Sequence, residues 1–209
     1  MSNTNIEQVC YLGAPNAKTK ILILGNSITL HEPNYDIGWF GDWGMAASDL
    51  EKDYVHLLYR MIRKGGKEVF MRVKKCVFWE LGLKDDNILN NFKKDKAFSP
   101  DVIVFRLGEN VPVEDQLYFK EATEKLIDYL RPKKCKVVFT TCFWQNPRDN
   151  IIIEIAEEYG FPCACIGGDK KHKALNMFEN EAVANHPGDE GMQMIAEKIY
   201  EILKTELNS

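Results

Sequence analysis

From Lys20 to Ile166 the chain repeats one alternation: a short apolar run, then a longer stretch with apolar residues three or four positions apart. Residues 20–24, Lys-Ile-Leu-Ile-Leu, end at Gly25 and predict a buried strand. Residues 67–77 alternate apolar and polar side chains and predict a second strand. Residues 101–105 predict a third, ending near Gly108, residues 136–141 a fourth, and residues 161–166, after Tyr159-Gly160, a short fifth. The spacing between them is helical. Residues 46–64 place Leu50, Tyr54, Leu57, Leu58 and Met61 on one face, and residues 114–130 place Tyr118, Ala122, Leu126 and Leu130 at steps of four. Residues 150–159 predict a third helix. Residues 189–203 predict a fourth, with Met192, Ile195, Ile199 and Leu203 on one stripe and Asp189 as its N-cap.

Strands separated by helices predict an α/β fold with a parallel sheet of about five strands, covered on both faces. Ligands of such sheets bind outside the carboxyl ends of the strands. The segments to watch are therefore 25–45, 108–114, 142–147 and 166–188. The first and last are long and irregular, which itself points to function. The 209 residues, 45% of them hydrophobic, suit a single domain over 1–209 with its core at about 20–205. No repeat, low-complexity stretch or linker interrupts it.

Composition narrows the partners. A net charge of −4, with 28% charged residues, gives no support to a nucleic-acid or anionic-membrane partner. Residues 1–20 are polar and lack the apolar core of a signal peptide, and no apolar run reaches about 18 residues. The expected location is cytoplasmic. The six cysteines, at 10, 76, 135, 142, 163 and 165, form no C-x-x-C and are expected to be free, mostly buried thiols. Cys163-Ala-Cys165 has no further ligands at zinc spacing, so no metal site is expected.

Candidate chemistry gathers at the strand ends. Ser27, in Gly25-Asn26-Ser27-Ile28-Thr29, directly follows the first strand, where it can open a helix and meet that helix's positive end. His186, in Asn185-His186-Pro187-Gly188, precedes the last helix; a serine needs such a base to become a nucleophile. Of the other histidines, His56 falls on a helix and His172 in a lysine-rich stretch, while His31, close to Ser27, stays a candidate. Asn110 follows the third strand in Gly108-Glu109-Asn110, where its amide can donate to a developing oxyanion. Gly44 can bring a backbone N–H to the same point. Taken singly, each residue fits a cap, a turn or a helix entry equally well.

As an ordered set, Gly-Asn-Ser-Ile-Thr after the first strand, Gly44 before the second helix, Gly-Glu-Asn after a central strand and His-Pro before the last helix resemble the SGNH (GDSL-type) hydrolases. The resemblance spans residues 21–203. It implies a three-layer α/β/α sandwich of flavodoxin-like type and a serine esterase working through an acyl-serine intermediate. By position, Ser27 is the nucleophile and His186 the base. The oxyanion hole is then the N–H of Ser27, the N–H of Gly44 and the side chain of Asn110. No metal or organic cofactor is implied.

Three positions depart from the family pattern. Asn26 stands for the aspartate before the serine, and Val111 for the carboxylate after the asparagine. Val183 stands where an aspartate would orient the histidine. Either Glu181 reaches His186, or a backbone carbonyl holds the ring and the site is a Ser-His dyad. Trp39, Trp43, Trp144 and Glu109 lie on the same strand edge and suit a partly polar ligand such as a sugar. The expected substrate is a small-acyl, acetyl-type ester, on a small molecule or a glycan. A non-catalytic ligand- or carbohydrate-binding module, and an acyltransferase using the same Ser-His pair, are the alternatives.

Overall fold

The computed structural model describes residues 7–208. Its centre is a six-stranded sheet in the order β1-β3-β2-β4-β5-β6. The strands are β1 (Val9–Gly13), β2 (Thr19–Gly25), β3 (Val69–Lys75), β4 (Val102–Phe105), β5 (Lys136–Thr140) and β6 (Cys163–Ala164). All neighbouring pairs are parallel except β1 with β3. The parallel part therefore has the five expected strands in flavodoxin-like order. The sixth, β1, is an added antiparallel edge that the sequence reading missed: Val9–Gly13 precedes the strand–helix alternation and has no helix between it and β2.

Side chains on successive strand residues divide between two cores, as strand geometry requires. Ile21 and Ile23 of β2, Val102 and Val104 of β4 and Val138 of β5 face one layer. That layer is built by α1 (Tyr54–Lys64) and α7 (Asp189–Glu206). Leu22 and Leu24, Ile103 and Phe105, and Val137 and Phe139 face the other. There they meet α2 (Val77–Leu81), α4 (Gln116–Leu130) and α5 (Arg148–Tyr159). The result is the predicted three-layer α/β/α sandwich.

Several boundaries move for physical reasons. The helix predicted over 46–64 begins eight residues later, at Tyr54, because Asp53 caps it by accepting from the His56 N–H at 2.7 Å. Leu50 lies in a separate 3-10 turn and is exposed. Tyr118 faces outward, and Phe119 takes its place in the core. The last helix is not capped by Asp189. That carboxylate instead accepts from Ser48 N and Oγ at 2.9 and 2.8 Å, and from Lys52 Nζ at 2.8 Å, tying the helix to the preceding loop. The polar positions of β3 do not face water. Arg72 and Lys74 are buried and both pair with Asp95 of α3 (Lys93–Phe98), at 2.7 Å each. All six cysteines are free; three are buried and Cys165 is exposed. Among the described residues, no helix is long and apolar enough to cross a membrane.

Candidate active site

The direction of chain order reverses between β2 and β4, which are neighbours though β3 lies between them in sequence. The crevice at the carboxyl ends of this pair is where such sheets bind ligands. Ser27 lies two residues beyond β2, and Asn110 five beyond β4.

Ser27 does not open a helix. It sits in one tight turn, in which Thr29 and Leu30 donate their N–H groups to Asn26 O at 2.9 and 3.1 Å. The expectation of a helix dipole behind the serine therefore falls. What remains is the free backbone donor: no described residue accepts the Ser27 N–H. Ser27 Oγ lies 2.9 Å from His186 Nε2.

His186 is delivered by α6 (Glu181–Ala184), a single helical turn. Its last carbonyls have no partners further along the helix. The His186 N–H bonds back to Val183 O at 2.9 Å, which leaves Ala182 O for the ring, and Nδ1 meets it at 2.7 Å. A carbonyl only accepts, so Nδ1 carries the proton and Nε2 presents its lone pair to the Ser27 hydroxyl. Of the two options left open, the backbone carbonyl is the one realised. The Glu181 carboxylate does not take the orienting role, because Nδ1 is already held by Ala182 O. Val183 is fully buried beside Trp39 and Ala46, which explains an apolar residue there.

Burial is the largest influence on the His186 imidazole and pushes its pKa down to about 4. The Ala182 carbonyl and Glu109 oppose this, while His31 and Arg106 add to it. The ring is therefore neutral near pH 7, as a general base must be. His31, the other candidate, bonds through Nδ1 to Glu32 O at 2.6 Å, and contact with Ser27 belongs to His186.

The remaining predicted residues separate. The Gly44 N–H is not free: it donates to Asp53 Oδ2 at 3.2 Å. Gly44 is glycine for space, since a Cβ there would stand 2.5 Å from Ile28 O. Gly44→Ala is expected to lower stability by about 1–3 kcal/mol, the usual cost of overpacking, in a urea titration. Ala46, two residues on, is buried with φ at +76°, and no described residue accepts its N–H. The intervening Met45 N–H bonds to Ser27 O at 2.8 Å, so this segment lies directly against the Ser27 backbone. No sequence signal marks Ala46, because its left-handed conformation is one that normally selects glycine.

Asn110 stands at the crevice with Nδ2 donating to Glu80 Oε2 at 2.7 Å. Glu109 is not a substrate contact. Its side chain is 4% exposed, and its oxygens accept from Arg106, Asn26 and the Phe143 N–H. Trp39 is also removed from the ligand surface: it is 2% exposed and pins the loop through Nε1 to His31 O at 3.3 Å. Trp43 is half-buried, bonded to Ala47 O at 3.1 Å. Trp144 packs edge-on against the His186 ring, with centroids 5.5 Å apart and planes at 88°, and bonds to Asn185 O at 3.2 Å. Tyr35 and Phe40, 73% and 70% exposed, form the outward aromatic pair of the 31–43 loop.

No protein-family model matches the chain. No curated protein matches it in sequence either. Solved structures do match its fold. TesA is 16% identical, with a TM-score of 0.56 over 90% of this chain and 99% of that one. A family two carbohydrate esterase from Cellvibrio japonicus is 15% identical, with a TM-score of 0.57 over 92% of this chain and 62% of its own. A two-domain esterase active on acetylated mannans is 17% identical, with a TM-score of 0.56 over 91% of this chain and 50% of its own. A G-D-S-L family lipolytic protein from Desulfitobacterium hafniense is also among the matches, at 15% identity and a TM-score of 0.55. The fold is thus the α/β sandwich of SGNH-type hydrolases.

Proposed function

We propose that this protein is a serine hydrolase that cleaves small-acyl esters. The observation that carries the reading is the chain of contacts Ser27 Oγ–His186 Nε2–His186 Nδ1–Ala182 O, at 2.9 and 2.7 Å. His186 Nε2 takes the Ser27 proton as Oγ attacks the ester carbonyl. The resulting imidazolium then gives that proton to the departing alkoxide, leaving an acyl-serine. Water attacks this intermediate by the same route in reverse order, releasing the acid and restoring the serine. The Ala182 carbonyl keeps the proton on Nδ1 throughout. Its partial charge replaces a carboxylate, so the site is a dyad.

The negative oxygen formed in each step needs donors. The free N–H groups of Ser27 and Ala46 and the second N–H of the Asn110 amide fit that need, with Ala46 taking the part first assigned to Gly44. Half-buried Trp43 and Trp144, together with the carbohydrate esterases that share this fold, favour an acetyl ester on a sugar or another partly polar alcohol. A fluorophosphonate probe should label the wild-type chain on Ser27, and p-nitrophenyl acetate should be turned over. The absence of both labelling and turnover would refute the reading. Acetate release from acetylated oligosaccharides tests the substrate class.

A further inference from the structure

Asn110 is held by a residue that no motif marks. Glu80, on α2, is fully buried. Its Oε1 accepts from Gly108 N at 2.7 Å, Asn110 N at 3.2 Å and Asn26 Nδ2 at 3.4 Å, and its Oε2 from Asn110 Nδ2 at 2.7 Å. Gly108 reaches this carboxylate with φ at +137°, a conformation that selects glycine. Asn26 Nδ2 also donates to Glu109 Oε2 at 2.7 Å. Glu109 Oε1 in turn accepts from Arg106 Nη2 at 2.7 Å and from Phe143 N at 3.0 Å. One network thus joins the residue before the nucleophile to the loops after β4 and β5.

Every partner of Glu80 is an N–H donor, the surroundings of an ionised carboxylate. Yet the guanidinium of the network, Arg106, pairs with Glu109 instead. A buried carboxylate without its own cation is costly, and an apolar side chain would serve packing better. Carboxylates of this kind collect where function needs them. The chain has none at 26, 111 or 183, and the structure brings Glu80 and Glu109 to the crevice from elsewhere.

We propose that Glu80 is a positioning residue for ester cleavage: its carboxylate fixes the rotation of the Asn110 amide, so that one N–H binds Glu80 and the other is free for the substrate's oxyanion. The proposal rests on the Ser27–His186 hydrolase reading. An asparagine amide turned by half a rotation would set its carbonyl, a repulsive group, against that oxyanion. A fixed acceptor forbids this rotation. A protonated Glu80 permits it, because its new O–H is satisfied by the Asn110 carbonyl.

The ionisable groups around Glu80 are Glu109, joined to it through Asn26, Arg106 beyond Glu109, and the Cys76 thiol at the start of α2. Burial and the Glu109 charge push the Glu80 pKa up, and the N–H donors only partly offset them. Activity that depends on Asn110 is therefore lost on acidification before His186 is protonated.

The test is kcat and KM for p-nitrophenyl acetate against pH, for wild type, Glu80→Gln, Asn110→Ala and the double variant. Glu80→Gln should lower kcat about 10–100-fold, part of the 10²–10³ that a lost oxyanion donor costs, with KM within about twofold. The acid limb above that of His186 should vanish in both single variants. In the Asn110→Ala background, Glu80→Gln should change kcat by less than about twofold. An equal fall in both backgrounds, or a limb that persists in Asn110→Ala, overturns the proposal. If Glu80→Gln does not fold, the profiles of wild type and Asn110→Ala decide alone. Wild-type turnover with an unimpaired Glu80→Gln overturns the positioning role and leaves the hydrolase. A wild type without turnover or Ser27 labelling removes both.

Discussion

Ser27→Ala and His186→Ala should each lower kcat for an activated acetate ester by about 10⁴–10⁶-fold, and the double variant should be little worse than the poorer single. The reason is the 2.9 Å contact: the hydroxyl and the ring act as one unit, so removing either removes the function of both. Additive losses would mean that the two do not share a proton. The same ring carries a stability signature. Its pKa is about 4 in the fold and 6.5 in the unfolded reference, so between these values the unfolded chain binds the extra proton. Stability contributed by neutral, buried His186 is therefore present above pH 6.5 and lost as pH falls toward 4. His186→Ala should remove that slope from a pH series of urea titrations. A slope that is unchanged would place the titration elsewhere.

Local patterns in the sequence were enough to find the parallel sheet and to single out Ser27 and His186, which the fold brings within 2.9 Å of each other. Four of the six strands announce themselves as apolar runs, because a parallel strand buried on both faces leaves little room for polar residues, and β3 announces itself by alternation. Ser27 and His186 were legible because chain order, strand ends and residue type agree. What escaped depends on contacts that local patterns do not encode. β1 exists only because β3 offers it an edge. Arg72 and Lys74 look like solvent-facing positions until Asp95 arrives from α3 to pair with both. Gly44 was marked correctly as special, but its reason is the approach of Ile28 O, and its N–H belongs to Asp53. Glu109 and Trp39 were placed at the ligand surface by their neighbours in sequence, whereas the fold turns both inward. The Ala182 carbonyl illustrates the general difficulty: a backbone group carries no residue identity, and only the short length of α6 frees it.

Arg106→Met should be the most destabilising single change at the site, by about 3–5 kcal/mol near neutral pH, because it leaves the buried Glu109 carboxylate without its cation. Arg106 is fully buried, with Nη2 on Glu109 Oε1 at 2.7 Å and Nη1 on Asn26 Oδ1 at 3.3 Å. Methionine fills much of the same volume, so the loss measures charge more than space. The sign of the pH dependence follows from the carboxylates. Glu80 already has a folded pKa above its unfolded 4.5, so its contribution is fully present below pH 4.5 and is lost as pH rises through the folded value. Without Arg106 that trend steepens, and the variant should approach wild-type stability in acid while falling behind it as pH rises. Glu109→Gln in the same chain should restore part of the loss, since it removes the stranded charge while keeping the side chain's shape. Urea titrations across pH measure all three quantities. A variant within about 1 kcal/mol of wild type at neutral pH, below the usual cost of breaking a buried pair, would show that water or Asn26 alone satisfies Glu109. The network behind Ser27 would then be looser than its distances indicate, and Glu80 would hold Asn110 without help from the arginine.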